Sequence, residues 1–453
     1  MASVNAVPLA SPEPPAAAEA AGLPQDAVPA SAPRPWTRLQ RGLFRFGFVY
    51  LLFFNLPFPI GWLPGTDRLA EAFSQLWQTP AQLFATHVLG VRHAIDFADT
   101  GSSDRLADWS LLGLRLALAA LIAAGWSFAS RATDHRRLHG LLRVYLRYSL
   151  GTTLLAYGYY KVFKSQFAAA GPTELLKTYG ESSPMNLLWT FMGFSTAYNF
   201  FCGLAEAVPG VLLYFRRTTT LGALLGAAVM ANVVALNFSY DVPVKLYSVH
   251  LLVAALVLLL PDARRLADVF VLNRPAAPVD LGRAAPDRRW RLASIGAKVA
   301  LIGGLQALIL GMAWSNYKAV TAPKHTLVGV WKVQEQRREG QPVPPLASDP
   351  RRLKSVVLLG RARLGGAQLI GLDDQVRSFG LQQDEKAGTI DFREGMGAAV
   401  DTLRVERPDP SHLVLQGKLG GEETLLKLER VDTSSLLLLN RGFHWVTESA
   451  FNR

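Results

Sequence analysis

Between about residue 44 and residue 314 the chain runs through seven apolar stretches, near 44–63, 109–130, 144–163, 197–215, 219–239, 246–261 and 293–314. A hydrocarbon core about 30 Å thick is crossed by roughly 20 helical residues, so each stretch predicts a membrane-spanning helix, 246–261 being the shortest. Lipid offers no hydrogen bonds to backbone amides. Continuous rather than alternating apolar runs therefore specify a helical bundle.

The charges orient that bundle. Arg34, Arg38, Arg41 and Arg45 precede the first stretch, Arg131, Arg136, Arg137 and Arg143 follow the second, and Arg216–Arg217 follow the fourth. A further basic segment, Arg264 to Arg291, precedes the last. Loops of this kind stay in the cytoplasm. They absorb much of the net charge of +12 and remove the need for a nucleic-acid partner. Residues 64–108 carry Asp67, Glu71, Asp96, Asp99, Asp104 and Asp108 and fit the opposite side.

Seven crossings from a cytoplasmic N-terminus, in a bacterial inner membrane, put the C-terminal domain in the periplasm or outside the cell. If 246–261 fails to cross, that domain lies in the cytoplasm instead. The expected divisions are a disordered Ala/Pro-rich cytoplasmic tail without a cleavable signal (1–40), two spans joined by a long outer loop (41–143), and a four-helix core (144–275). A basic loop with the last span (276–318) and an outer β domain (325–453) complete the chain. The outer loop 64–108 and the segment 164–196 are expected to hold short interfacial helices that lid the outer face. The single cysteine, Cys202, excludes an internal disulfide and a CxxC thiol relay.

The polar residues inside the spans are the functional candidates. Glu206 stands in the middle of an apolar run, where a carboxyl costs roughly 2.5–3.5 kcal/mol on insertion scales. It must therefore face protein or water. Asn199, Gly203, Glu206 and Gly210 share one helical face, as do Arg147, Gly151, Leu154, Gly158 and Lys161 on the preceding span. Small residues on such stripes let helices approach closely, which makes Lys161 the expected partner of Glu206. Pro209 removes the hydrogen bond to the carbonyl of Ala205 and predicts a kink beside the carboxyl. Arg115, Tyr157, Asn232, Asn237 and His250 fall in the same outer half and are expected to line one cavity with the pair. Arg147, toward the inner end, is expected to snorkel. No paired histidines suggest a haem, and no metal site is expected.

After residue 325 the period changes. Leu327–Gln334, Lys354–Leu359, Ala367–Leu372, Val376–Leu381, Thr389–Phe392, Val400–Arg404, His412–Gln416 and Thr424–Glu429 read as short strands separated by turn residues such as Gly420–Gly421. This spacing predicts a small antiparallel barrel.

Two resemblances follow from these motifs. The pattern Arg147, Gly151, Gly158-Tyr159-Tyr160-Lys161, then Glu206, Gly210-Val211-Leu212-Leu213 and Arg216-Arg217-Thr218, with two apolar helices behind it, resembles the DoxX family of four-helix membrane proteins. The match covers under a third of the chain. It implies a quinone-linked or redox-accessory role, with the lipid bilayer and a redox enzyme subunit as partners, and an accessory subunit rather than a stand-alone enzyme. In that reading Glu206, Lys161 and His250 handle protons and charge, and Tyr157, Arg115, Asn232 and Asn237 contact the quinone. The start Gly329-Val330-Trp331 resembles the GxW motif of lipocalins, which implies a barrel able to hold an apolar ligand near Trp331. The alternative is a non-enzymatic membrane scaffold whose outer barrel binds a lipid or a partner protein.

Overall fold

The computed structural model describes residues 35–276, 278, 287–321, 326–346, 348–361, 364–395, 397 and 399–452. Most of the expected tail (1–34), the centre of the basic loop (279–286) and residue 325, the expected start of the β domain, lie outside the described residues. The remainder forms a helical bundle followed by a β-barrel.

The helices are α1 (Arg38–Asn55), α2 (Asp67–His87), α3 (Leu106–Ala129), α4 (Arg136–Val162), α5 (Pro172–Leu176), α6 (Pro184–Phe194), α7 (Thr196–Tyr214), α8 (Thr219–Ser239), α9 (Lys245–Leu259), α10 (Ala263–Phe270) and α11 (Arg288–Thr321). Several begin where the sequence supplies a cap. Thr37 accepts from the Gln40 amide at 3.1 Å while the Gln40 side chain accepts from Thr37 at 2.9 Å. Ser183 caps α6 ahead of Pro184, and Ser195 caps α7 by accepting from Tyr198 at 3.2 Å.

Among the described residues six helices are long and apolar enough to cross a membrane: α1, α3, α7, α8, α9 extended through α10, and α11. Their outer faces are apolar; Phe128 is 92% exposed and Leu121 69%. A protein solvated by water would not carry such a belt, whereas lipid is its natural solvent. The short stretch 246–261 is lengthened by a 3-10 turn at Pro261 into α10, giving a continuous element Lys245–Phe270.

The expectation of seven apolar spans needs one correction. The third, α4, is a 27-residue helix, yet it is not among the six apolar ones. Its Arg147, Ser149, Thr152, Thr153 and Lys161 are buried because α7, α9, α1 and α11 pack around it. It is the polar axis of the bundle rather than a lipid-facing span. A second correction concerns the outer loop: instead of short helices it holds the 21-residue α2, which packs on α3.

At the end of the bundle where α7 stops, Arg147 donates to the carbonyls of Leu213 (2.9 Å) and Tyr214 (3.0 Å). It caps unsatisfied carbonyls at a helix C-terminus rather than snorkelling. Nearby, Asp262 accepts from Thr220 (2.7 Å) and pairs with Arg265 (2.8 Å) and Arg143 (3.6 Å). In the loop before α4, His135 accepts from Arg45 Nε at 3.0 Å. Burial, reinforced by the Arg45 charge, pushes its imidazole below the ordinary value.

The C-terminal domain is a closed, eight-stranded antiparallel barrel of sequence neighbours. Its strands are β1 (Gly329–Arg338), then β3 (Leu353–Arg361), β4 (Leu364–Gly371), β5 (Val376–Asp384), β6 (Thr389–Arg393), β7 (Ala399–Asp409), β8 (His412–Leu419) and β9 (Glu422–Arg430), with the two-residue β2 (Gln341–Pro342) appended to β1. Pairing of β1 with β9, from Trp331↔Arg430 to Arg338↔Thr424, closes it and leaves the main sheet without an open edge. Burial alternates with period two along β6 and β9. The β8–β9 turn needs left-handed backbone at both Gly420 (φ +63°) and Gly421 (φ +84°), which glycine adopts without strain.

Trp331 is fully buried in the barrel with Phe392, Leu353, Leu358, Leu369 and Ile390. Its indole N–H donates to the Leu327 carbonyl at 2.8 Å. Truncating it removes both the packing and the hydrogen bond. Trp331→Ala in the full-length protein should cost about 3–5 kcal/mol of barrel stability, read as loss of protease resistance of the C-terminal domain at a lower denaturant concentration. A short helix α12 (Leu437–Asn440) follows the barrel.

Candidate functional site

The site is built on the crossing of α4 and α7. A Cβ added to Gly158 would lie 2.8 Å from the Gly203 carbonyl oxygen, and one on Gly203 would lie 2.8 Å from that of Gly158. Seven residues along each helix the contact repeats between Gly151 and Gly210, at 3.1 and 2.9 Å. The helices are thus antiparallel, in register, and in backbone contact at both levels. No residue with a side chain fits these points without separating them.

That geometry brings the charges together. Side chains in a helix lean toward its N-terminus. Lys161 therefore reaches back from one side of the Gly158–Gly203 contact and Glu206 from the other. Lys161 Nζ donates to Glu206 Oε2 at 2.7 Å, with side chains 8% and 5% exposed. A second N–H of the ammonium donates to Gln166 Oε1 at 3.0 Å. Its charge sits 5.5 Å from the centre of the Tyr157 ring and 5.7 Å from that of Phe167. A desolvated pair with an extra acceptor and two aromatic faces is held firmly, because losing either partner would strand a charge.

The pair lies in the wall of a cavity of about 400 Å³. Helix α6 contributes Leu188, Trp189 and Met192 to it, α9 contributes Tyr247, Ser248 and Leu251, and α8 contributes Asn232 and Asn237. Phe201 of α7 and Asn232 of α8 belong to the wall and are also exposed on the outside. The cavity therefore opens on the flank of the bundle between α7 and α8. Asn237 is buried, and its Nδ2 has no hydrogen-bond partner among the described residues. An unpaired buried donor costs about 1–3 kcal/mol, so this amide lacks an acceptor that a bound molecule could supply. Pro209 leaves α7 continuous and is buried in it.

Five of the eight residues singled out from sequence line this cavity: Glu206, Lys161, Tyr157, Asn232 and Asn237. His250, Arg115 and Trp331 are elsewhere. His250 is on α9 but turned toward α1, its Nδ1 on the Leu246 carbonyl (2.6 Å), its Nε2 bonded to the Tyr50 hydroxyl, and its ring stacked on Phe54 at 3.9 Å. Arg115 faces α2, with its guanidinium 5.2 Å from the centre of the Trp77 ring. Trp331 is a core residue of the barrel.

Sequence reasoning missed Gln166, Trp189 and Tyr247. Gln166 follows Lys161 in a non-helical turn, so no periodicity marks it. Tyr247 and Leu251, four residues apart on α9, do carry a helical signal for a shared face.

Comparison with known proteins adds one relative. The uncharacterized protein YwoB of Bacillus subtilis (strain 168) is 34% identical over 124 residues, which are 27% of this chain and 79% of the relative. No family model matches the chain, and no solved structure matches it.

Proposed function

This chain belongs to the family of the Bacillus subtilis protein YwoB; from the cavity and its residues, we propose that its bundle takes a lipophilic carbonyl compound of the isoprenoid-quinone class from the bilayer, as a DoxX-like redox-accessory protein. The observation that carries this reading is the Asn237 amide donor, buried and unpartnered in the wall of a mainly apolar cavity. A cavity open sideways between α7 and α8 suits a ligand that arrives through lipid. A quinone ring supplies carbonyl acceptors and, when bound, two-electron chemistry.

The chain's own residues would do the following. Asn237 donates to a carbonyl oxygen and fixes the ring's orientation. Lys161, with one N–H beyond those given to Glu206 and Gln166, offers a positive charge beside the ring. Glu206 holds or releases a proton at its carboxyl. Trp189 and Met192 close the cavity from the side of α6 and exclude water. Electrons would come from a partner redox enzyme.

For orientation we propose seven crossings, α4 being the central one, in a bacterial inner membrane with the N-terminus cytoplasmic. Thr173 of α5 donates to Gln368 of β4 at 2.7 Å. This supports placing the lipocalin-like barrel on the same, outer side as the segment between α4 and α7. Among the described residues its interior packs Trp331, Phe392, Leu358, Leu369 and Ile390 into one cluster, which favours contact with a partner protein over carriage of a ligand.

Cys202 is the single cysteine and lines the cavity, so it reports occupancy. Ubiquinone-1 added to the detergent-purified protein should slow alkylation of Cys202 by N-ethylmaleimide several-fold. Asn237→Leu should abolish that protection while leaving the fold intact, since it removes an unsatisfied donor. Equal alkylation rates with and without saturating quinone would reject the reading.

A further inference from the structure

A second cavity, of about 310 Å³, lies between the end of α1, α2, the loop 97–102 and α3. It shares no lining residue with the cavity beside Glu206. Arg115, Arg105, Asp108, Asp99, Gln78 and Trp77 line it. The charges in it are not equally engaged. Asp108 accepts from the Arg105 backbone N–H at 3.0 Å and pairs with Arg105 Nε at 3.3 Å. Arg105 also donates to the Ala98 carbonyl. Asp99 accepts from the Gly101 amide at 2.8 Å.

Arg115 is the cation left over. Among the described residues its guanidinium makes no hydrogen bond and no ion pair, and Nε is fully shielded without a partner. Nine residues into α3, it stands about 13 Å along the helix from Leu106, well inside a membrane-crossing segment. A charge there that meets Asp108 and the Tyr50 hydroxyl only across space, with no hydrogen bond to either, is incompletely satisfied. Its guanidinium lies over the face of Trp77, 5.2 Å from the ring centre, and makes no hydrogen bond among the described residues. Gln78 follows Trp77 on α2 and adds an amide with no partner among the described residues. One unpaired planar cation, a neutral donor and a stacking ring around an empty volume make an oxyanion receptor.

We propose that this cavity binds a phosphate or carboxylate group by bidentate pairing with Arg115, with Gln78 as the second donor. The group comes either from the headgroup of an anionic phospholipid or from a small soluble anion. The Arg105–Asp108 pair closes the side of the cavity toward the loop. The site is independent of the cavity beside Glu206, and neither proposal depends on the other.

Thermal unfolding of delipidated, full-length protein in neutral detergent tests it, with phosphatidylglycerol, phosphatidylcholine and inorganic phosphate as separate additions. The wild type should gain several degrees with phosphatidylglycerol and none with phosphatidylcholine if the source is a lipid, or gain them with phosphate if it is a soluble anion. Arg115→Met should lose the response to every anion. It should also be at least as stable as the wild type without ligand, because a half-buried charge without a hydrogen-bond partner has been removed. Gln78→Ala should weaken the apparent affinity roughly tenfold, which keeps the test decisive if Arg115→Met does not fold. A wild type indifferent to both anions, or an equal response in Arg115→Met, overturns the proposal.

Discussion

Gly158→Leu should unfold the bundle or leave it too unstable to purify, a loss of more than about 3 kcal/mol. Besides the Ala207 Cβ at 2.8 Å, a side chain at 158 would strike the Gly203 carbonyl oxygen at 2.8 Å and the Ala207 amide nitrogen at 2.9 Å. The last two are backbone, so no rotamer change relieves the clash. The α4–α7 pair would have to separate, and the Lys161–Glu206 contact beside the crossing would open with it. Gly125→Leu is the matched control, since a Cβ there meets nothing within 4 Å. Melting of detergent-purified variants should show a near-normal transition for Gly125→Leu and a greatly lowered or absent one for Gly158→Leu. Equal transitions would mean that the two helices do not touch as described.

The second large effect is at the ion pair. Lys161→Met and Glu206→Gln should each destabilise the protein by about 3–5 kcal/mol, because each leaves a desolvated charge behind. Glu206→Gln should be the milder, since Gln166 still accepts from the ammonium and the rings of Tyr157 and Phe167 still face it. The double variant should recover most of the loss, leaving no buried charge to stabilise. A double-mutant cycle in chemical denaturation measures this coupling. Additive single effects would show that the two side chains do not interact.

These two regions differ in how far they could be read from sequence. The glycine stripes and the charges on them were legible because helical periodicity fixes which residues share a face. Antiparallel neighbours then bring Gly158 to Gly203 and Lys161 to Glu206 with little freedom. The eight barrel strands were legible for the same reason, period two being plain between turns such as Gly420–Gly421. What periodicity does not contain is the identity of the neighbour across a face. His250 was placed by its level along a span, but the face of α9 that carries it meets Tyr50 and Phe54 of α1. Arg115 likewise turns to α2, whose 21-residue length was hidden because Pro80 stands inside it and no long apolar run marks it.

Polarity misled in the other direction at α4. Its arginines, threonines and tyrosines make it the least apolar of the long helices, and it is central for that reason. Arg147 looked like an anchor by its position near the end of a span. The carbonyls it caps belong to a helix that comes 66 residues later in the chain, a partner no local pattern reveals. Gln166 was missed because its role comes from a turn that folds back on Lys161.

The cavity beside Lys161 and Glu206 is proposed to hold a quinone-class molecule drawn from lipid. Native mass spectrometry of the protein, released gently from its own membranes, tests it most directly. An added mass equal to one isoprenoid quinone should be retained by the wild type and lost from Asn237→Leu at unchanged fold. A wild-type protein that carries only phospholipid, with a mass distribution identical to that of Asn237→Leu, would contradict it.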